Sequence, residues 1–401
     1  MKISVKNGRV IDPANGLDAP MDILIENGKI VSVNKPGEIQ TDSAECIDAS
    51  GLWVAPGFID MHVHLRDPGQ LHKETIATGT CAAAAGGFTT VCCMPNTLPV
   101  IDCTEVVEYI AETATKNSPI RVIPVGSITK GLAGEELSDM QGMKKAGIIA
   151  ISDDGKTVQN SAIFVAAMKM AKELGLPILS HCEPEEEIIA RDITIAKEIG
   201  AKLHICHVST ASSVEIIRNA QNAGQPVTAE VAPHHFTLTD EDVPHGSEDA
   251  ANYKMSPPLR SRADRAAIVA ALKDGTISVI ATDHAPHHEN EKNCGFEAAA
   301  NGIIGLETAV PLAISELVNT GVLTPRQLIE KFTASPAKIL GLDLGHLTPG
   351  AVADITIIDP NAAHIIDKTN FESLSKNTPF HRREVTGRVI YTIVAGEVVY
   401  R

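Results

Sequence analysis

The rhythm of apolar and polar positions changes twice along the 401-residue chain. Its opening reads as short strands broken by tight turns: ISVKNGRVID, DILIENGKIVSV and ECIDASGLWV. Asn-Gly pairs at 7–8 and 27–28, each between apolar stretches, predict hairpin turns. The last stretch reads the same way, with DITIIDP and then GRVIYTIVAGEVVYR, whose Ala-Gly marks a turn. Two β-rich ends around a different middle predict one small β-sandwich domain formed by both termini, 1–55 and 345–401.

The middle, 56–344, alternates short continuous apolar runs with helical patterns. The runs are GFIDMHV, FTTVCCM, RVIPVGSI, GIIAIS, LPILSH, LHICHV, PVTAEVA and ISVIATD, eight in all. Helical spacing falls between them at 73–86, 102–116, 161–175, 185–200, 211–223 and 262–273. Strands buried on both faces read as continuous apolar runs, and crossover helices fill the gaps. This pattern predicts an α/β fold with a TIM (β/α)8 barrel. The alternative, a doubly wound open sheet, lacks a Gly-x-Gly-x-x-Gly fingerprint.

Polar residues collect where these strands end. The first run closes on His62, His64 and Arg66, which share one face if the strand continues. Asn96 follows the second, Asp153 and Asp154 the fourth, His181 the fifth and His207 the sixth. Glu230, His234 and His235 close the seventh; Asp283, His284, His287 and His288 close the eighth. Active sites of such barrels are built at the C-terminal strand ends. Each piece alone has a plain reading, as a core histidine or a turn aspartate. Their recurrence at successive strand ends points to one chemical site.

Composition narrows the class. A net charge of −16 opposes binding to nucleic acid or anionic membrane. The eight cysteines follow no framework spacing, and no signal-type segment or apolar run near membrane length is present. The expectation is a cytoplasmic enzyme with reduced thiols. An anionic substrate would need a local cationic group, and Arg66 is the candidate.

Imidazole and carboxylate ligands without a required thiolate suit Zn²⁺, with Mn²⁺ or Co²⁺ as alternatives. His62, His64 and Asp283 would hold one ion, and His181 and His207 a second, with a carboxylate between them. Asp283 would take a proton from a bridging water and return it to a leaving nitrogen.

These stretches resemble the amidohydrolase superfamily, and within it the long-chain bacterial dihydroorotases. The resemblance runs essentially end to end. It rests on DMHVHLRDPG, TTVCCMPNT, SDDGKTV, LSHCE, LHICHVST, TAEVAPHHF, SPPLRS, IATDHAPH and GIIGLETAVPL. It implies reversible ring closure of N-carbamoyl-L-aspartate to L-dihydroorotate in pyrimidine synthesis. Hydantoinases and allantoinases, which share His-x-His and the last aspartate, are the alternative. A non-catalytic scaffold for aspartate transcarbamoylase is a further one, although every expected ligand is present.

The resemblance makes Asp154 a shared ligand of one or two ions, with a carbamylated Lys156 as the other candidate bridge. It assigns His64, Arg66, Asn96 and His287 to the substrate, the last three at its α-carboxylate. Glu230 and His234 become supports of the ligand imidazoles, while His235 and His288 stay unassigned. It also implies self-association and aspartate transcarbamoylase as a partner. Three features depart from the family pattern. Ser256 stands where asparagine is expected, and Asn301-Gly302 where a phenylalanine often precedes the glycine. The stretch from His181 to His207 is short. The polar segment 284–300 reads as a mobile loop over the site.

Overall fold

A computed structural model describes residues 2–39 and 45–401. Eight parallel segments follow one another around a closed ring. Barrel strands one to three are Phe58–Val63, Phe88–Cys93 and Arg121–Pro124. The fourth, around 148–151, is held by isolated parallel bridges from Ile151 to Gly126 and to Ile178. The fifth to eighth are Ile178–Ser180, Leu203–Ile205, Val227–Val231 and Val279–Ile280. A parallel bridge between Val63 and His284 returns the eighth to the first and closes the barrel.

The short strands enclose a small apolar interior. Ile59 and Met61 of the first strand form one buried cluster with Cys92, Val125, Ala150, Leu179, Cys206 and Val279, which come from six other strands or their ends. Only side chains pointing inward can meet in this way. Around the ring, helices Ile76–Ala85, Thr104–Asn117, Ser161–Leu174, Glu185–Ile199, Ala211–Asn222 and Arg262–Asp274 match the six predicted segments closely. Other helices escaped the periodicity, among them Met140–Ala146, Pro325–Phe332 and Ala334–Leu340.

Both termini build one eight-stranded sheet. Trp53–Pro56 joins them, pairing parallel with Lys2–Asp12 and antiparallel with Ile355–Ile365. Ile3, Val5, Ile23, Ile25 and Ile30 from the first end share a core with Ile355, Ile357 and Ile393 from the last. The sheet therefore folds over its own apolar face as a sandwich. The tips meet closely: a Cβ on Gly396 would lie 2.9 Å from the Gly28 Cα.

Asn27-Gly28 is the predicted two-residue turn, with φ of 50° and 77°. Asn7-Gly8 is not a turn. It forms a bulge inside Lys2–Asp12, where the register shifts between Val5 and Gly8 and Asn7 takes φ of 62°. The Asn-Gly preference for positive φ serves a bulge as well as a hairpin.

Candidate metal centre and active site

The strand ends bring six of the predicted residues to one point. His62 Nε2 lies 3.2 Å from Asp154 Oδ1 and 3.5 Å from Asp283 Oδ1. His64 Nε2 lies 3.1 Å from Asp283 Oδ1 and 3.4 Å from Asp154 Oδ2. On the other side of Asp154, His181 Nδ1 is 3.5 Å and His207 Nε2 3.7 Å from Oδ1. These two imidazole nitrogens are 2.9 Å apart. Asp154 thus stands between two histidine pairs. Lys156 is exposed and takes no part in the cluster. Asp153 also turns away, accepting from the backbone N–H groups of Ile128 and Thr129 at 2.7 and 3.0 Å.

The backbone bends to make this convergence possible. Arg66, His207 and Asp283 have φ of 59°, 34° and 48°. Such values are costly for residues with a Cβ and collect at functional sites.

Second partners fix the ring tautomers. The Nδ1–H of His62 donates to Glu230 at 2.6 Å, and that of His64 to Asn96 Oδ1 at 2.8 Å. Each Nε2 lone pair is then free to face the cluster. Glu230 also holds His204 Nε2 at 3.0 Å. His204 was not singled out in the sequence; its position two residues before Cys206 in an apolar strand was the only signal.

The electrostatics call for a cation. Burial disfavours a charged His62, yet Asp154, Asp283 and Glu230 outweigh it and raise its pKa well above the ordinary value. Burial likewise opposes His181, but Asp154 and Glu183 carry it up to about 9. Asp154 and Asp283 resist burial and stay below the usual carboxylate range because the histidines face them. The two carboxylates thus make the cluster a setting that favours positive charge.

His62 Nε2 and Asp154 Oδ1 are buried without a hydrogen-bond partner. Orphaned ligand atoms of this kind fit a metal ion. His62, His64 and Asp283 present atoms within 4.8 Å of one another, as do His62, Asp154 and His207. His62, Cys206 and Glu230 meet the same spacing, but burial first, then Glu230, hold the Cys206 thiol protonated. The donors that remain are imidazole and carboxylate.

Beside the cluster, Arg66 is 7% exposed. Its Nε donates to Pro286 O at 3.1 Å and its Nη2 to His287 Nε2 at 3.3 Å. It pairs with neither Asp67 nor Asp283, and burial lowers its pKa to about 10. Burial, then Arg66 and Lys73, bring His287 down to about 3, so it is neutral and its Nδ1–H donates to Glu291.

Gly302 packs against this pair: a Cβ there would lie 2.5 Å from both His287 Cδ2 and Ala285 O. Asn301 is exposed. Ser256 lines an adjoining cavity of about 410 Å³ with His181, Glu183, Glu186 and Arg260. His234 is buried with Nε2 unpaired, while His235 donates to Pro257 O at 3.0 Å and His288 caps the short helix Glu289–Lys292. Segment 284–300 is therefore not a bare loop.

A closed (β/α)8 barrel with a histidine–carboxylate cluster at its strand ends defines a metal-dependent hydrolase class. The amidohydrolase family profile matches residues 53–399, and the chain belongs to that family. It is 48% identical to a dihydroorotase of Citrifermentans bemidjiense, with 100% of both chains covered. It is also 48% identical to a dihydroorotase of Pelotomaculum thermopropionicum, covering 100% of this chain and 98% of that one. The first alignment spans 428 positions, so that relative carries residues this 401-residue chain lacks. Among solved structures, the L-hydantoinase (dihydropyrimidinase) of Arthrobacter aurescens superposes with a TM-score of 0.91 at 26% identity. It covers 100% of this chain and 96% of its own. A D-hydantoinase gives 0.90 at 25% identity, covering 100% and 95%.

Proposed function

We propose that the chain is a dihydroorotase, interconverting L-dihydroorotate and N-carbamoyl-L-aspartate in pyrimidine synthesis. The observation that carries this reading is the buried Arg66 guanidinium fork beside the cluster, which has no carboxylate partner and rests on the half-buried His287. Such a fork suits the carboxylate that distinguishes dihydroorotate from neutral cyclic amides. Full-length relatives named dihydroorotase support the same substrate.

The catalytic unit is residues 56–344, with 1–55 and 345–401 as the sandwich. We assign His62, His64, Asp154, His181, His207 and Asp283 as ligands for one or two divalent ions, with Zn²⁺ matching the donor set. When bound, such ions supply a lowered water pKa and a polarised carbonyl.

Arg66 binds the substrate carboxylate, with Asn96 and His287 beside it, and so orients the ring over the cluster. Ser256, Asn301 and Gly302 complete the proposed pocket. Asp283, kept ionised by the histidines around it, accepts a proton from the attacking water. As the ring C–N bond breaks, it delivers that proton to the departing nitrogen, giving N-carbamoyl-L-aspartate. The reverse sequence closes the ring and releases water.

The test is hydrolysis of L-dihydroorotate by purified protein against a panel with hydantoin, allantoin and dihydrouracil. Preference for dihydroorotate supports the proposal, and preference for a neutral ring refutes it.

A further inference from the structure

In the stretch HENEKN, Lys292 reads as one more surface charge. In the fold it is 2% exposed. Its Nζ donates to three backbone carbonyls, Ala300 O at 2.8 Å, Gly302 O at 3.1 Å and Lys254 O at 3.4 Å. No carboxylate of the described residues pairs with it. Burying an ammonium without a counter-ion is costly, and Lys292 is held by carbonyl dipoles alone. Burial draws its pKa down to about 7.

The three carbonyls belong to the segments that frame the substrate clamp. Gly302 N donates back to Lys254 O at 2.9 Å, and Ala300 N to Glu291 O at 3.0 Å. Gly302 O also accepts from Asn377 Nδ2 at 3.0 Å, while Asn377 Oδ1 accepts from His287 N at 3.0 Å. Gly302 in turn sits against the His287 ring, where even a methyl group would clash. Moving Gly302 therefore moves His287, and with it the partner of Arg66.

We infer that Lys292 is a positioning residue of the substrate pocket, gathering the carbonyls of Lys254, Ala300 and Gly302 to set the wall on which His287 rests. The inference rests on the proposed substrate reading for its kinetic test alone. Lys292 touches neither the proposed metal ligands nor Arg66. Its loss acts on substrate binding and leaves the proton-transfer machinery in place.

The experiment compares wild-type holoenzyme with Lys292→Met and Lys292→Gln, reading metal content, KM and kcat for L-dihydroorotate, and amide hydrogen exchange across 284–303. Lys292→Met is expected to keep its metal, raise KM about tenfold and leave kcat within about threefold. The Ala285 and Gly302 amides should exchange faster. Lys292→Gln, which keeps two donors, falls between, and carries the test if the methionine variant does not fold. Folded variants with unchanged KM and unchanged exchange overturn the inference, as does a fall in kcat at constant KM. If wild-type enzyme leaves dihydroorotate untouched, the substrate reading fails. Exchange then decides for Lys292: faster exchange in the variants upholds its role in the wall, and unchanged exchange removes it.

Discussion

Replacing Glu230 by glutamine isolates one charge behind the histidine–carboxylate cluster. Glu230 is 1% exposed and spans His62 Nδ1 at 2.6 Å and His204 Nε2 at 3.0 Å. Glutamine matches its shape and keeps Oε1 as acceptor for the His62 N–H. Its amide then faces His204 Nε2, which accepts once the His204 proton moves to Nδ1, 2.8 Å from Thr228 Oγ1. No buried group is left unpaired, so the fold should persist. What is lost is the negative charge that makes His62 a stronger donor of electrons. A charge-assisted hydrogen bond contributes about 1.5–3 kcal/mol, against about 1 for a neutral one. The difference, about 0.5–2 kcal/mol, is a loss of about 2- to 30-fold and overlaps the lower part of the roughly 10–100-fold loss of metal affinity seen for such supports. Competition against a chromophoric chelator measures it, with thermal unfolding of the metal-free protein as control. Glu230→Gln with intact folding and metal affinity within about twofold of wild type would show that the Glu230 charge does not strengthen metal binding.

Asp283→Asn, assayed at saturating metal, should lower kcat by about 10²–10⁴-fold, the usual contribution of a positioned acid–base group. Arg66→Met should cost about 2–3 kcal/mol in kcat/KM, mostly as a higher KM for dihydroorotate, and should leave a neutral cyclic amide unaffected. Glu307 is half-buried and its carboxyl is raised to about 7, desolvation outweighing the N–H groups of Glu372 and Ser373. The folded state then holds a proton that the unfolded chain, near pKa 4.3, releases. Its contribution to stability is full below about pH 4.3 and falls as pH rises to about 7. Chemical unfolding midpoints should therefore drop less between pH 5 and 7 in Glu307→Gln than in wild type. An equal drop would show that Glu307 does not carry the effect.

Much of the fold and of the candidate site is legible in the sequence. Strand ends advertise themselves because a barrel interior is apolar, so residues such as His62, His181 and Asp283 break the pattern only where the strand leaves the core. The clustering of metal-type residues at those ends then follows from the fold. Other features depend on partners the sequence cannot display. Lys292 resembles solvated charge because its partners are backbone carbonyls of residues 254, 300 and 302. His204 gains its role only when Glu230 arrives from the neighbouring strand. Asn7-Gly8 and Asn27-Gly28 are the same dipeptide with the same backbone preference; pairing across the sheet decides which one turns. The fourth barrel strand is short enough that Ile151 alone bridges to both neighbouring strands, at Gly126 and Ile178.

The decisive measurement presents purified, metal-analysed protein with L-dihydroorotate and follows loss of the ring, before and after chelation. A dihydroorotase with this centre should show hydrolysis that disappears with the metal and returns on adding Zn²⁺. Metal-loaded protein that leaves dihydroorotate intact while opening hydantoin or dihydrouracil would contradict it.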